Sequence, residues 1–116
     1  MPPIEDYTIR QVDGVTVVRL KFTRLFSMSD VNRVTAELLD LIKGGAQKLV
    51  IDLKHVEFAG SSTLGMLIQL QKAVVEAGGK LVLSHTERME EMLRISRTRQ
   101  LFTIAPDPKS AVAQFS

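Results

Sequence analysis

The chain has 116 residues, the length of one ordinary domain, and its 45% hydrophobic content is enough for a core that buries roughly two thirds of the unfolded surface. Fifteen basic against thirteen acidic residues leave a formal charge of +2, too small an excess to make nucleic acid an expected partner. The absence of cysteine excludes disulfides, thiolate metal sites and thiol nucleophiles, and fits a reducing, cytoplasmic setting.

The opening MPPIEDYTIR lacks the charged-then-apolar pattern of a secretory leader, and no apolar run approaches the about 18 residues needed for membrane insertion. Residues 7–12 and 15–22 alternate around Asp13-Gly14, a dipeptide suited to a two-residue type I′ turn because both residues tolerate positive φ. A β-hairpin is therefore expected to open the domain. Val31, Val34, Leu38, Leu41 and Ile42 then recur at helical spacing, with Ser29 or Asp30 placed to cap the helix and Gly44-Gly45 to stop it.

Leu49-Val50-Ile51 is apolar without alternation, as expected of a strand covered on both faces in a parallel sheet, and Leu81-Val82-Leu83 has the same character. Between them the pattern predicts a helix over 62–77 ended by Gly78-Gly79, which completes a right-handed strand, helix, strand crossover. A helix over 87–96 with Met89, Met92 and Leu93 inward and a strand over 101–104 follow. Asp107-Pro108 supplies the cap and first-turn proline of a closing helix whose apolar residues are Val112 and Phe115. The chain thus reads as one α/β domain over residues 1–116, with a mixed, mostly parallel sheet, an N-terminal hairpin and about four helices.

Common catalytic signatures are missing: there is no Gly-x-Gly-x-x-Gly, P-loop, His-Glu-x-x-His or Gly-x-Ser-x-Gly. His55 and His85 fall near strand ends, but only Asp52 or Glu57 is placed to orient a histidine base for Ser61 or Ser62, so neither hydrolysis nor a metal site is expected. Arg94, Arg97 and Arg99, with Arg88 upstream, form the densest basic group; Arg94 follows Glu90 at the i, i+4 spacing of a solvated helix pair.

Ser61, Ser62 and Thr63 stand at the mouth of the helix over 62–77. One hydroxyl there could cap the helix, a contribution of about 1 kcal/mol, but capping needs only one. A phosphate at the same place would gain from the free N–H groups and the helix dipole while adding nearly two negative charges, a simple switch for a docking face. On this helix Leu64, Leu67, Ile68, Gln71 and Val75 are expected to pack on the sheet. Met66, Leu70, Ala73 and Ala77 lie off that face, to be covered by a neighbouring helix or by a partner.

LVIDLKHVEFAGSSTLGMLIQL, followed by AGGKLVLSHTERMEEMLRIS and RQLFTI, resembles the STAS domain of bacterial anti-sigma factor antagonists over nearly the whole chain. That family's pattern is an apolar strand ending in Asp-Leu, a stretch of the form Asp-Ser-Ser-Gly-Leu-Gly, an Ala-Gly-Gly turn and a late Leu-Phe. The resemblance implies that the second motif serine, Ser62 here, is phosphorylated by a partner anti-sigma factor that is a serine kinase, with Ser61 and Thr63 as alternative acceptors. It further implies a cycle in which the unmodified protein binds the anti-sigma factor and frees a sigma factor, phosphorylation blocks binding, and a phosphatase restores it.

The chain would then be a switch rather than an enzyme, without cofactor or metal, docking through Leu25, Phe26, Met28, Gly60, Ser61, Thr63, Leu64 and Met66. Leu25, Phe26 and Met28 are expected to be exposed beside Ser62. Three departures from the pattern stand out: Gly60 replaces the motif aspartate, Thr63 replaces its glycine, and Phe26 takes the place of an acidic residue before the first helix. The resemblance also admits a constitutive STAS subunit of a transporter or stressosome-like scaffold that is never phosphorylated. Arg97 stands where relatives end a helix with glycine, and a left-handed backbone there would cost it about 1 kcal/mol.

Overall fold

The computed structural model describes residues 7–22, 27–56 and 60–115. Strands β1 (Tyr7–Val12) and β2 (Val15–Leu20) form the expected hairpin, with Val12 opposite Val15. Asp13 and Gly14 supply the two left-handed residues of its turn, at φ 52° and 79°. From β2 onward the pairing is parallel, through β3 (Lys48–Asp52), β4 (Lys80–Ser84) and β5 (Thr103–Ala105), so the order across the sheet follows the order along the chain.

Helices α1 (Met28–Lys43), α2 (Ser61–Glu76), α3 (Glu90–Ile95) and α4 (Pro108–Ala113) cover the two faces. Because successive strand residues point to opposite faces, Leu49 and Ile51 join Leu81 and Leu83 in the core shared with α1, α2 and α3. Val50 and Val82 instead join Val15, Val17 and Ala111 of α4 in a smaller core behind the sheet. Burial on both faces is why these strands read as unbroken apolar runs.

The first helix starts earlier than its apolar spacing suggests. Ser27, rather than Ser29 or Asp30, is the cap: its Oγ accepts the Asp30 N–H at 3.2 Å, and the Asp30 carboxylate accepts the Ser27 N–H at 2.9 Å. This is a capping box with aspartate in the usual glutamate position. At α4 the cap is as expected, with Asp107 accepting the Ser110 N–H at 2.8 Å and Pro108 in the first turn.

These backbone N–H bonds hold the Asp30 and Asp107 carboxyls below their ordinary value of 3.8. A lowered native pKa means the caps stabilise the fold above that value and lose their contribution as pH falls through and below it. Acid titration followed by helical circular dichroism should therefore show Asp30→Asn and Asp107→Asn flattening the stability loss below about pH 4.

On α2 the stripe expected on the sheet holds at Leu64 and Leu67, which are buried, and fails at Val75, which is exposed while Val74 is buried in its stead. Of the second stripe, Met66 and Leu70 are buried in the core that α1 and α2 share. The neighbouring helix thus covers the inner half of the second stripe, leaving Ala77 exposed. Helix α3 begins at Glu90 rather than at residue 87, because 86–89 form a turn closed by the Met89 N–H on the Thr86 carbonyl at 2.8 Å. Glu90 pairs with Arg99 at 2.9 Å instead of with Arg94, whose partner is Glu91 at 3.8 Å. A 3-10 turn at Arg99–Leu101 displaces the start of the last strand to Thr103.

Helices α1, α2 and α3 end in the same way, with a backbone N–H reaching five residues back: Ala46 to Leu41 at 3.2 Å, Gly79 to Val74 at 2.8 Å and Thr98 to Leu93 at 3.1 Å. The left-handed residue of this motif is Gly45, Gly78 and, in α3, Arg97 at φ 58°. Arg97 is exposed, so little packing offsets its backbone cost. Arg97→Gly is expected to stabilise the protein by about 1 kcal/mol, a rise in Tm of roughly 4 °C by calorimetry.

Candidate partner-docking and modification site

Strand β3 ends at Asp52, whose side chain is fully buried. One carboxylate oxygen accepts the Arg19 Nε–H at 3.0 Å; the other accepts the Lys54 backbone N–H at 3.2 Å and the Ser84 hydroxyl at 3.3 Å. A single group therefore ties together the ends of β2, β3 and β4 and the first step of the loop leading to α2. Val56, also buried, bonds its N–H to the Leu53 carbonyl at 3.1 Å and receives the Arg88 guanidinium on its own carbonyl at 3.3 Å.

Helix α2 then starts one residue earlier than expected, with Gly60 as its extended cap at φ −104°, ψ −174° and no side-chain hydrogen bond to the helix mouth. The first helical bond is Leu64 N–H to Gly60 carbonyl at 3.2 Å, and the first turn holds no acidic residue. Ser61, Ser62 and Thr63 thus occupy the first three helical positions instead of capping, where helix geometry leaves N–H groups without intrahelical acceptors. Unlike α1 and α4, this helix has no carboxylate to offset the positive end of its dipole.

Exposure separates the three hydroxyl residues. Ser61 is exposed, Ser62 partly exposed, and Thr63 only 3% exposed, which withdraws the Thr63 hydroxyl from any modifying enzyme or partner in this conformation. Leu64 and Met66 are buried core residues and offer no side-chain surface, because the sheet and α1 already cover them. At the surface are Gly60, Ser61, Ser62, Gly65 and Met28, the last 67% exposed. Leu25 and Phe26 lie outside the described residues.

Met28 and Ser62 line one groove of about 320 Å³ between the beginnings of α1 and α2. Its floor includes buried Val31 and Met66, and its rim carries exposed Asn32, Gln69 and Lys72. Those rim residues escape a reading of the sequence, although Ser62, Gly65, Gln69 and Lys72 recur at the three- and four-residue spacing of a single helix face. Among the described residues no cluster of three or more potential metal ligands occurs, and no helix is long and apolar enough to cross a membrane. His85 faces Glu87, with Nδ1 at 3.6 Å from the carboxylate.

The STAS domain family model matches residues 6–111, and the chain belongs to that family. It is 24% identical over 109 residues to BtrV of Bordetella bronchiseptica, named as an anti-sigma factor antagonist, covering 93% of this chain and 92% of that protein. Among solved structures it is similar to TM1081 of Thermotoga maritima, described as an anti-sigma factor antagonist, with a TM-score of 0.83, 19% identity and coverage of 93% and 92%. It is similar also to the Bacillus cell fate determinant SpoIIAA in its phosphorylated form, with a TM-score of 0.72, 18% identity and coverage of 95% and 99%. At these identities the structural likeness establishes the fold, and it agrees with the resemblance read from the strand, hydroxyl and glycine motifs.

Proposed function

We propose that the protein is a phospho-regulated interaction switch of the anti-sigma factor antagonist type. Unmodified, it binds an anti-sigma factor with serine kinase activity through the groove beside Ser62; phosphorylation of Ser62 ends that binding, and a phosphatase restores it. On this reading the chain acts in the cytoplasm as substrate and binding partner rather than as catalyst. The observation that carries the proposal is that Ser62, the hydroxyl matching the family's second motif serine, is accessible at a helix mouth with no carboxylate in its first turn.

A phosphate there accepts hydrogen bonds from the free N–H groups and meets the favourable end of the dipole, so the fold tolerates it. The same charge beside Met28 imposes a desolvation cost on any apolar contact across the groove. Support from relatives is consistent: BtrV carries the name of an antagonist, and SpoIIAA, of the same fold, has been seen phosphorylated. Gly60 and Phe26, both standing where the family pattern has an acidic residue, favour a constitutive scaffold, since they remove groups a kinase could read.

Phosphopeptide mapping of the protein isolated from its native cells separates the two readings. A single phosphate on Ser62, absent from Ser62→Ala and never on buried Thr63, is the expected result. Phosphate confined to Ser61, or none under any growth condition, would contradict the switch.

A further inference from the structure

We propose that the protein forms a two-fold homodimer by pairing the free edge of β1 with β1 of a second copy. Among the described residues strand β1 is an edge of the sheet, six residues long, paired to β2 in unbroken register, and it contains neither proline nor bulge. These are the devices that usually protect an edge from pairing, and a single charge, Arg10, remains in their place. Ile9, at the middle of the strand, is a large apolar residue left 45% exposed.

The hairpin fixes which backbone groups are available. A two-residue turn makes Val12 and Val15 a hydrogen-bonded pair, and alternation makes Arg10 with Val17 and Thr8 with Arg19 the next such pairs. Tyr7, Ile9 and Gln11 therefore direct their N–H and C=O groups away from β2, toward the open edge.

An antiparallel pairing with the two-fold axis at Ile9 sets Ile9 against Ile9, Tyr7 against Gln11 and Thr8 against Arg10 of the second copy. In that register all three outward residues of each copy donate and accept. Centring the axis on Thr8 or Arg10 uses only two of the three, and the Arg10 register also places arginine directly against arginine, which is unfavourable. The strand is thus self-complementary in one register, and that register buries the exposed isoleucine against its own copy. A second copy brings its own exposed isoleucine to that position, whereas an unrelated extended peptide need not, and this favours a second copy as the occupant of the edge.

The dimer would carry one continuous ten-stranded sheet, and its parallel strands would run in opposite directions in the two copies. The Ser62 grooves would then face away from each other and remain open. Because one strand edge buries less than the about 1,200 Å² of a permanent interface, the dimer should be concentration-dependent.

Sedimentation equilibrium of the full chain from about 10 μM to about 1 mM tests this. Wild type should pass from monomer to dimer across that range. Ile9→Lys, which opposes two ammonium groups across the axis, should weaken the dimer at least about tenfold while leaving thermal unfolding of the monomer unchanged. Ile9→Cys introduces the sole thiol of the chain at a pair whose Cα separation of about 5.5 Å permits a disulfide, and should give a covalent dimer on mild oxidation. Val75→Cys, comparably exposed on α2, should not. A wild type that stays monomeric throughout, or a dimer indifferent to Ile9→Lys with no preferential cross-linking at residue 9, would overturn the proposal.

Discussion

Asp52→Ala is expected to lower folding stability by about 3 kcal/mol, one of the two largest effects a single change should have. The lost carboxylate accepts from Arg19, from the Lys54 backbone and from Ser84, and its surroundings are dry: Asp52 and Ser84 are both fully buried. Truncation strands a buried hydroxyl and a backbone N–H, each costing about 1 kcal/mol or more, whereas Arg19, 39% exposed, recovers water and adds little. Asp52→Asn keeps an acceptor and should cost less, about 1–2 kcal/mol. Urea unfolding should show a lower midpoint at unchanged slope; a loss under about 0.5 kcal/mol for Asp52→Ala would mean the carboxylate does not tie these strand ends together.

The second large effect concerns binding. Ser62→Asp is expected to weaken affinity for the proposed anti-sigma factor partner by about tenfold or more, equivalent to about 1.4 kcal/mol, while Ser62→Ala should leave it within about twofold. In the free protein the sign reverses: an acidic residue in the first turn of α2, which has none, should raise stability by about 0.5 kcal/mol. Opposite signs in stability and affinity distinguish a docking effect from simple damage to the fold. Calorimetric titration and thermal unfolding of the same variants measure both; a Ser62→Asp protein that binds as wild type would reject a charge-sensitive contact at this position.

The elements most legible in the sequence were those governed by local rules. Asp13-Gly14 announced its turn because two adjacent left-handed residues suit few other side chains, and Asp107-Pro108 announced α4 because a cap and a first-turn proline act within four residues. Apolar runs at β3 and β4 marked strands buried on both faces. Boundaries were harder wherever tertiary contacts decided them. Ser27 lies outside the apolar periodicity and its box uses aspartate, so the periodicity alone starts α1 too late.

On α2 both the sheet and α1 cover apolar residues, leaving the helical period too broad to distinguish Val74 from Val75. Glu90 reaches Arg99 only because the chain turns back after α3, a pairing that sequence spacing within one helix does not reveal. At the site, the motif identified Ser62, but matching residues by type could not separate exposed Ser61 from buried Thr63, Leu64 and Met66. The rim of Asn32, Gln69 and Lys72 becomes visible only when α1 is laid against α2.

The most direct test of the proposed switch is to isolate a binding partner by co-purification from native cells and titrate it against two preparations of the protein at one salt concentration, unmodified and phosphorylated on Ser62. Binding by the unmodified protein, a loss of about a hundredfold on phosphorylation, and recovery after phosphatase treatment is the result predicted. Equal affinity for the two preparations would contradict it.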